Sequence, residues 1–246
     1  MKNFKVVLEY DGTNYHGWQV QTNAISIQEI IEKALETLLR EKVRTYVSGR
    51  TDSGVHAKNQ VINFKVSTIN MKPEKLMVGL NCLLPEDVAI KNVEEVPIDF
   101  DSRKSARSKI YRYVILNRKA PTALERHRCW HVRAKLDVDL MNSCAGYLVG
   151  EHDFSSFRGT RCNASHAVRK IFRAAFTAQE DDFIHFEIEG RGFLKHMVRN
   201  IVGTLVDVGM GKTTLTEFKS IIDAKDRKVA GLNAPPQGLF LQAVNY

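Results

Sequence analysis

The chain has 246 residues, enough for one large domain or two small ones, since domains typically hold roughly 100–150 residues. Its 43% hydrophobic and 26% charged residues are ordinary globular usage, which excludes a disordered chain; no apolar run has the length of a signal peptide or a membrane span, so membrane functions are set aside. The net charge of +8 points to a polyanionic partner without identifying it, and the four cysteines, Cys82, Cys129, Cys144 and Cys162, form no CxxC pair, which fits the reducing cytoplasm.

Residues 4–10 form a β-rich run, and Ser26-Ile27-Gln28-Glu29 is a capping box that predicts a helix start. Ile27, Ile30, Ile31, Ala34, Leu35 and Leu38 then recur at three- and four-residue spacing and lay an apolar stripe along that helix. A short strand near 43–47, an alternating strand with Ile62, Phe64 and Val66 on one face, a helix led by Pro73 and a strand near 88–96 follow. The order β-α-β-β-α-β is the ferredoxin-like arrangement, with two helices on one face of an antiparallel sheet and the other face left available.

The second half predicts the same order: a strand at 109–116, a helix at 138–149 after Asp137, strands near 168–177 and 183–189, a long helix from Phe193, and a closing strand at 239–244. The expected fold is therefore α+β, with two ferredoxin-like domains, 1–104 and 105–246, whose antiparallel sheets lie side by side and form a positively charged cleft. The charge has a place in this scheme. Residues 103–135 hold eleven Lys/Arg and a single acid, Glu125, more than the excess of the whole chain, and Tyr111, Tyr113 and Trp130 are interleaved with them as in nucleic-acid binding segments.

The most unusual stretch runs from Ser48 to Ala57: Asp52 lies between Gly49 and Gly54, with Arg50 two residues before it. In extended chain Arg50 and Asp52 share a side, and a guanidinium there favours the ionised carboxylate that a nucleophile or base must be. On the predicted helix 193–209, Lys195, His196, Arg199 and Asn200 form a polar stripe, from which Arg199 can hold a phosphate or pair with an acid. Three other patterns fail. Gly209-Met210-Gly211-Lys212-Thr213 lacks the first glycine of a phosphate loop and follows a helix instead of a strand. His127, Cys129 and His131 have no fourth ligand at matching spacing, so no metal is expected, and Arg191-Gly192-Phe193 opens like an RNA-recognition signature that Leu194, Lys195 and His196 break.

Five blocks resemble the bacterial tRNA pseudouridine synthase A family, which modifies uridines at positions 38, 39 and 40 of the tRNA anticodon stem-loop. They are Tyr10-Asp11-Gly12 with Tyr15 and Gly17-Trp18-Gln19; Gly49-Arg50-Thr51-Asp52 with Gly54-Val55-His56-Ala57; Lys109-Ile110-Tyr111-Arg112-Tyr113; Phe154-Ser155-Ser156-Phe157; and the run from His196 to Gly203. The resemblance implies that Asp52 is the catalytic aspartate, Arg50 its neighbour, Arg199 its partner and Tyr111 the ring against the target uracil, with Leu239 lining the same pocket. It further implies a cofactor-free homodimer that binds tRNA; the concentration of charge in 103–135 makes Arg107, Lys109 and Arg112 the candidate RNA-binding residues. Ser53 stands where the family usually has alanine. The alternatives are a non-catalytic RNA-binding protein with two ferredoxin-like domains, which has no use for the Asp52 loop, and a nucleotide hydrolase built on Gly211-Lys212-Thr213.

Overall fold

The computed structural model describes residues 1–67 and 71–246, an α+β chain whose backbone contacts separate it into two compact units. The first comprises Met1–Arg107 with Phe240–Tyr246, and the second comprises Ser108–Leu239. The closing strand, expected with the second half, thus joins the first unit from Phe240 onward. No helix among the described residues is long and apolar enough to cross a membrane.

In the first unit the order is β1 (Lys2–Tyr10), α1 (Ile27–Leu39), β2 (Thr45–Val47), β3 (His56–Val66), α2 (Pro73–Leu83) and β4 (Val88–Val96). β1 lies between β4 and β3, antiparallel to both; β2 extends from β3, and β10 (Leu239–Asn245) runs parallel to β3 with Phe240 opposite His56. Phe4, Val6 and Leu8 on one face of β1 are fully buried with Ile62 and Phe64 of β3, the Phe4 and Phe64 rings stacking 5.6 Å apart. The Ser26 side chain accepts the Glu29 amide and starts α1, and Leu38 lies against Gly79 of α2, where a larger residue would push the two helices apart.

The sheet's second face is covered in part, contrary to the open face that the element order predicts. Asn3 and Asn63 are buried there and bonded to each other; Asn3 donates to the carbonyls of Pro97 and Phe100, and Asn63 accepts the Ser102 amide. The Tyr246 hydroxyl donates to the Ser102 carbonyl, and the Lys5 ammonium sits 4.9 Å from the Tyr246 ring. Buried polar side chains cost free energy unless bonded, so these asparagines fix the segment that leaves β4 across the sheet.

The second unit contains β5 (Ser108–Leu116), β6 (Trp130–His131), α3 (Val138–Gly146), β7 (Gly150–Asp153), β8 (Val168–Ala178), β9 (Phe183–Gly190), α4 (Met197–Gly209) and α5 (Leu215–Ala224). Its antiparallel strand order is β5-β9-β8-β7, with β6 parallel to the end of β5. Ile201, Val202, Leu205 and Val206 of α4 are fully buried, each contributing about 1.5–3 kcal/mol of burial.

Two sequence readings are corrected here. α4 begins at Met197 instead of Phe193, because His196 adopts a left-handed backbone (φ 61) that interrupts the helical path. Asn200, read as part of a polar stripe, is 1% exposed; its amide donates to the Phe157 carbonyl and its oxygen accepts from Arg227.

Candidate active site

Within the first unit, the loop from Ser48 to Val55 joins β2 to β3 and is held on both sides of Asp52. Before it, the buried Ser48 hydroxyl donates to Gln60, whose amide donates back to the Gly49 carbonyl, and the Thr51 hydroxyl shares a 2.7 Å hydrogen bond with the Tyr10 hydroxyl. The Thr51 carbonyl accepts the Trp18 amide. After it, the Gly54 amide and the Ser53 hydroxyl both donate to the Tyr15 carbonyl, and the Val55 amide turns back to the Asp52 carbonyl. The Gly12 amide donates to Nδ1 of the buried His56, whose ring stacks on Phe240. Thr51 and Val55 are therefore buried while Asp52 between them stays partly exposed. Net contributions of about 0.5–1.5 kcal/mol per bond matter less here than the effect of fixing a carboxylate in one place before a substrate arrives.

The opening motif thereby acquires a physical role. Gly17 has φ +87, and a Cβ there would lie 2.7 Å from the Thr51 carbonyl oxygen, so only glycine permits this approach. Burial pushes the Tyr10 hydroxyl up to about 12, its bonds to Thr51 and Gln60 opposing, so it remains a neutral clamp. Burial and the Asp87 carboxylate together drive the Tyr15 hydroxyl well above its ordinary range, so it stays protonated and donates to Asp87 at the start of β4. Tyr15→Phe should therefore cost about 1–3 kcal/mol by leaving the Asp87 carboxylate without this donor, read as a lower urea midpoint. An unchanged midpoint would remove this tether from the account.

Arg50 is exposed and Asp52, two residues on, is partly exposed in the same loop.

In the second unit, Tyr111 on β5 is 7% exposed and meets the Phe193 ring edge-on at 5.1 Å. Arg199 occupies the first turn of α4; its Nε donates to the Ala234 carbonyl at 2.7 Å, and its own carbonyl accepts the Ala234 amide. The Tyr113 hydroxyl donates to the next carbonyl, that of Pro235, and Leu239 is buried at the end of the same segment. A Cβ on Gly203 would lie 1.8 Å from the Leu232 carbonyl oxygen, so glycine lets this segment lie flat on α4 and fixes the direction of the Arg199 side chain.

The candidate RNA-binding cations differ from one another. Arg107 is exposed and Lys109 half-buried, whereas Arg112 places Nε and Nη2 on one oxygen of Glu187 (3.0 and 2.7 Å) while Arg173 takes the other. Partial burial pushes the Glu187 carboxyl up, but the two guanidinium groups outweigh it and hold it below the ordinary carboxylate range. Cys129 donates to the Glu125 carbonyl and His131 bonds the Arg118 carbonyl. Lys212 pairs with Asp207 in the turn after α4. The loop supports Tyr10, Tyr15, His56, Gln60 and Asp87 were missed as a set, although the first two lie in a motif visible in the sequence.

Residues 6–103 and 144–246 match a family model described as tRNA pseudouridine synthase. Asp52, Arg199 and Leu239 fall within the match, and Tyr111 and the candidate RNA-binding cations fall in the interval between its two parts. Along its whole length the chain is 45% identical to a tRNA pseudouridine synthase A of Thermoanaerobacter sp. strain X514 and 47% identical to one of Acetivibrio thermocellus, both also covered in full. The same name is carried by a Myxococcus xanthus protein 46% identical over the whole chain and 92% of its own length.

Proposed function

Because the chain belongs to the tRNA pseudouridine synthase family, we propose that it isomerises uridine to pseudouridine at positions 38, 39 and 40 of the tRNA anticodon stem-loop. The observation that carries this reading is Asp52: a partly exposed carboxylate in a glycine-flanked loop, anchored through both neighbours to Tyr10, Tyr15 and Trp18. The reaction breaks the N1–C1′ bond of uridine, turns the uracil within the site and joins C5 to C1′; the hydrogen on C5 leaves to water as a proton and N1 takes up a proton in exchange. No electrons are gained or lost, so the chemistry requires no redox cofactor. Asp52 acts either as nucleophile at C1′ or as base at C2′, and both roles need a carboxylate fixed in place before the substrate arrives.

In the same reading Arg199 is the partner of Asp52, Arg50 is its catalytic neighbour, and Leu239 lines the uracil pocket. In this reading each half of the chain is a ferredoxin-like domain, and the protein works as a cytoplasmic homodimer. tRNA labelled with tritium at C5 of uridine tests the activity: label should pass to water in step with product. A chain that binds tRNA and releases none is a binding protein, and release of phosphate from a nucleotide instead would favour a hydrolase.

The flipped uracil loses its stacking neighbours, and an aromatic face replaces about 1–3 kcal/mol of that loss. Tyr111→Ala should therefore lose about 1–3 kcal/mol in kcat/KM, while Tyr111→Phe keeps the ring and most of the activity. A Tyr111→Ala enzyme as fast as the parent would assign the stacking to another residue.

Phosphate contacts from residues 103–135 should make tRNA affinity fall steeply with salt. Replacing Arg107, Lys109 and Arg112 with Gln should flatten the plot of log affinity against log salt, with Arg112 contributing least because its guanidinium is held on Glu187. An unchanged slope would place the tRNA elsewhere.

A further inference from the structure

The positive charge of 103–135 conceals a second basic region. Residues 154–179 contain five Lys/Arg and no acid, and residues 190–206 contain Arg191, Lys195 and Arg199 and no acid. The fold joins these stretches: the Gly159 amide donates to the Lys195 carbonyl at 2.8 Å, and the Arg191 amide to the Lys170 carbonyl at 3.1 Å. A Cβ on Gly159 would touch the His196 side chain at 2.9 Å, so the approach is as close as the backbone permits.

The loop between Phe157 and β8 is wrapped around a guanidinium. Nη2 of Arg158 donates to the carbonyls of Cys162 and Ala164, both at 2.7 Å, while Nη1 of Arg169 donates to the carbonyls of Val168 and His166 at 2.6 and 3.1 Å. Carbonyls satisfy these donors without neutralising their charge. Arg169 feels the result: burial and the Arg158 charge pull its pKa down, with Cys162 acting in the opposite sense. Burial raises the Cys162 thiol, but the backbone amides of Ala164 and Lys195 and the Arg158 guanidinium outweigh it and bring the thiol below its usual range. Asp153 feels the same charge: Ser155 first holds its carboxyl low, burial opposing, and Lys225 and Arg158 add to the effect. The amides of Ala164 and Lys195 and the Arg158 guanidinium bear on the Cys162 sulfur, so the cluster is built around that atom. Arg161 and Lys195 are exposed at its edge, and the structure gives neither side chain an acidic partner among the described residues.

We propose that the loop 158–166, with Lys195, is a second phosphate-contact site for the RNA substrate, separate in sequence from residues 103–135. This rests on the reading that the chain acts on tRNA. Arg158 and Arg169 build the loop; Arg161 and Lys195 reach the phosphodiester backbone.

The test is the salt dependence of full-length protein binding an unmodified tRNA transcript. Arg161→Gln/Lys195→Gln removes two exposed charges and none of the side-chain bonds that shape the loop, and its melting curve verifies the fold. The slope of log affinity against log salt should fall by about 1.5, since each lost phosphate contact removes about 0.7–0.9. A control, Lys2→Gln/Lys33→Gln, removes two cations already paired with Glu95 and Glu29 and should leave the slope unchanged. An unaltered slope in the first variant, or equal flattening in the control, overturns the proposal. Tritium release by the parent enzyme is read separately: binding through this loop without release would sink the activity and leave the site standing.

Discussion

Asp52→Asn should fold, bind tRNA within a small factor of the parent protein, and release tritium at least about 10³-fold more slowly, as when a nucleophile or base is lost. The substitution preserves shape and removes charge. The loop's bonds through the Asp52 carbonyl and through its neighbours are unchanged by it, and the melting curve reads its cost in stability. Single-turnover rates beside tRNA affinity and a melting curve separate the possibilities. A folded Asp52→Asn protein turning over at the parent rate would pass the chemistry to another acid.

Gly12→Ala should be nearly as damaging although residue 12 is outside the Asp52 loop. The added Cβ would lie 2.1 Å from the Val55 carbonyl oxygen and 2.7 Å from its carbon, both backbone atoms that no rotamer change can move aside. Either the Tyr10-Asp11-Gly12 turn or the loop must retreat by about 1 Å, and a displacement of that size at a reacting group costs about 10²-fold in rate. The Gly12 bond to His56 would stretch with it. The expected result is kcat about 10²-fold lower with tRNA affinity little changed; a parent-like kcat would mean that the turn does not position Asp52.

How far the sequence reveals the protein depends on the distance between the groups that decide each feature. α1 is legible because Ser26, Glu29 and the isoleucine stripe lie within one helix. The Asp52 loop stands out because Arg50, Asp52 and the flanking glycines lie within a few residues of one another between two strands. Its supports do not: Tyr10 meets Thr51 and Gly12 meets His56 across 41 and 44 residues, and such hydrogen bonds leave no period in the chain. Four-residue β7, Gly-Glu-His-Asp, has neither branched nor aromatic residues to mark it as a strand. α5 has a full capping box, Thr214 with Glu217, hidden beside the false phosphate loop at Gly211-Lys212-Thr213. Phe193 and Leu194 fit the apolar spacing of α4, and only the backbone of His196 shows why the helix starts later. The second basic region escaped a count of charge along the chain because acids elsewhere balance it; contact between 158–166 and 190–196 makes it a site.

The central claim is most directly tested by mapping pseudouridine in an unmodified tRNA transcript after incubation with the purified protein. The account predicts new pseudouridine at one or more of positions 38, 39 and 40, one tritium released from C5 for each, and none elsewhere in the tRNA. Tight binding with no pseudouridine, or pseudouridine formed only outside the anticodon arm, would contradict it.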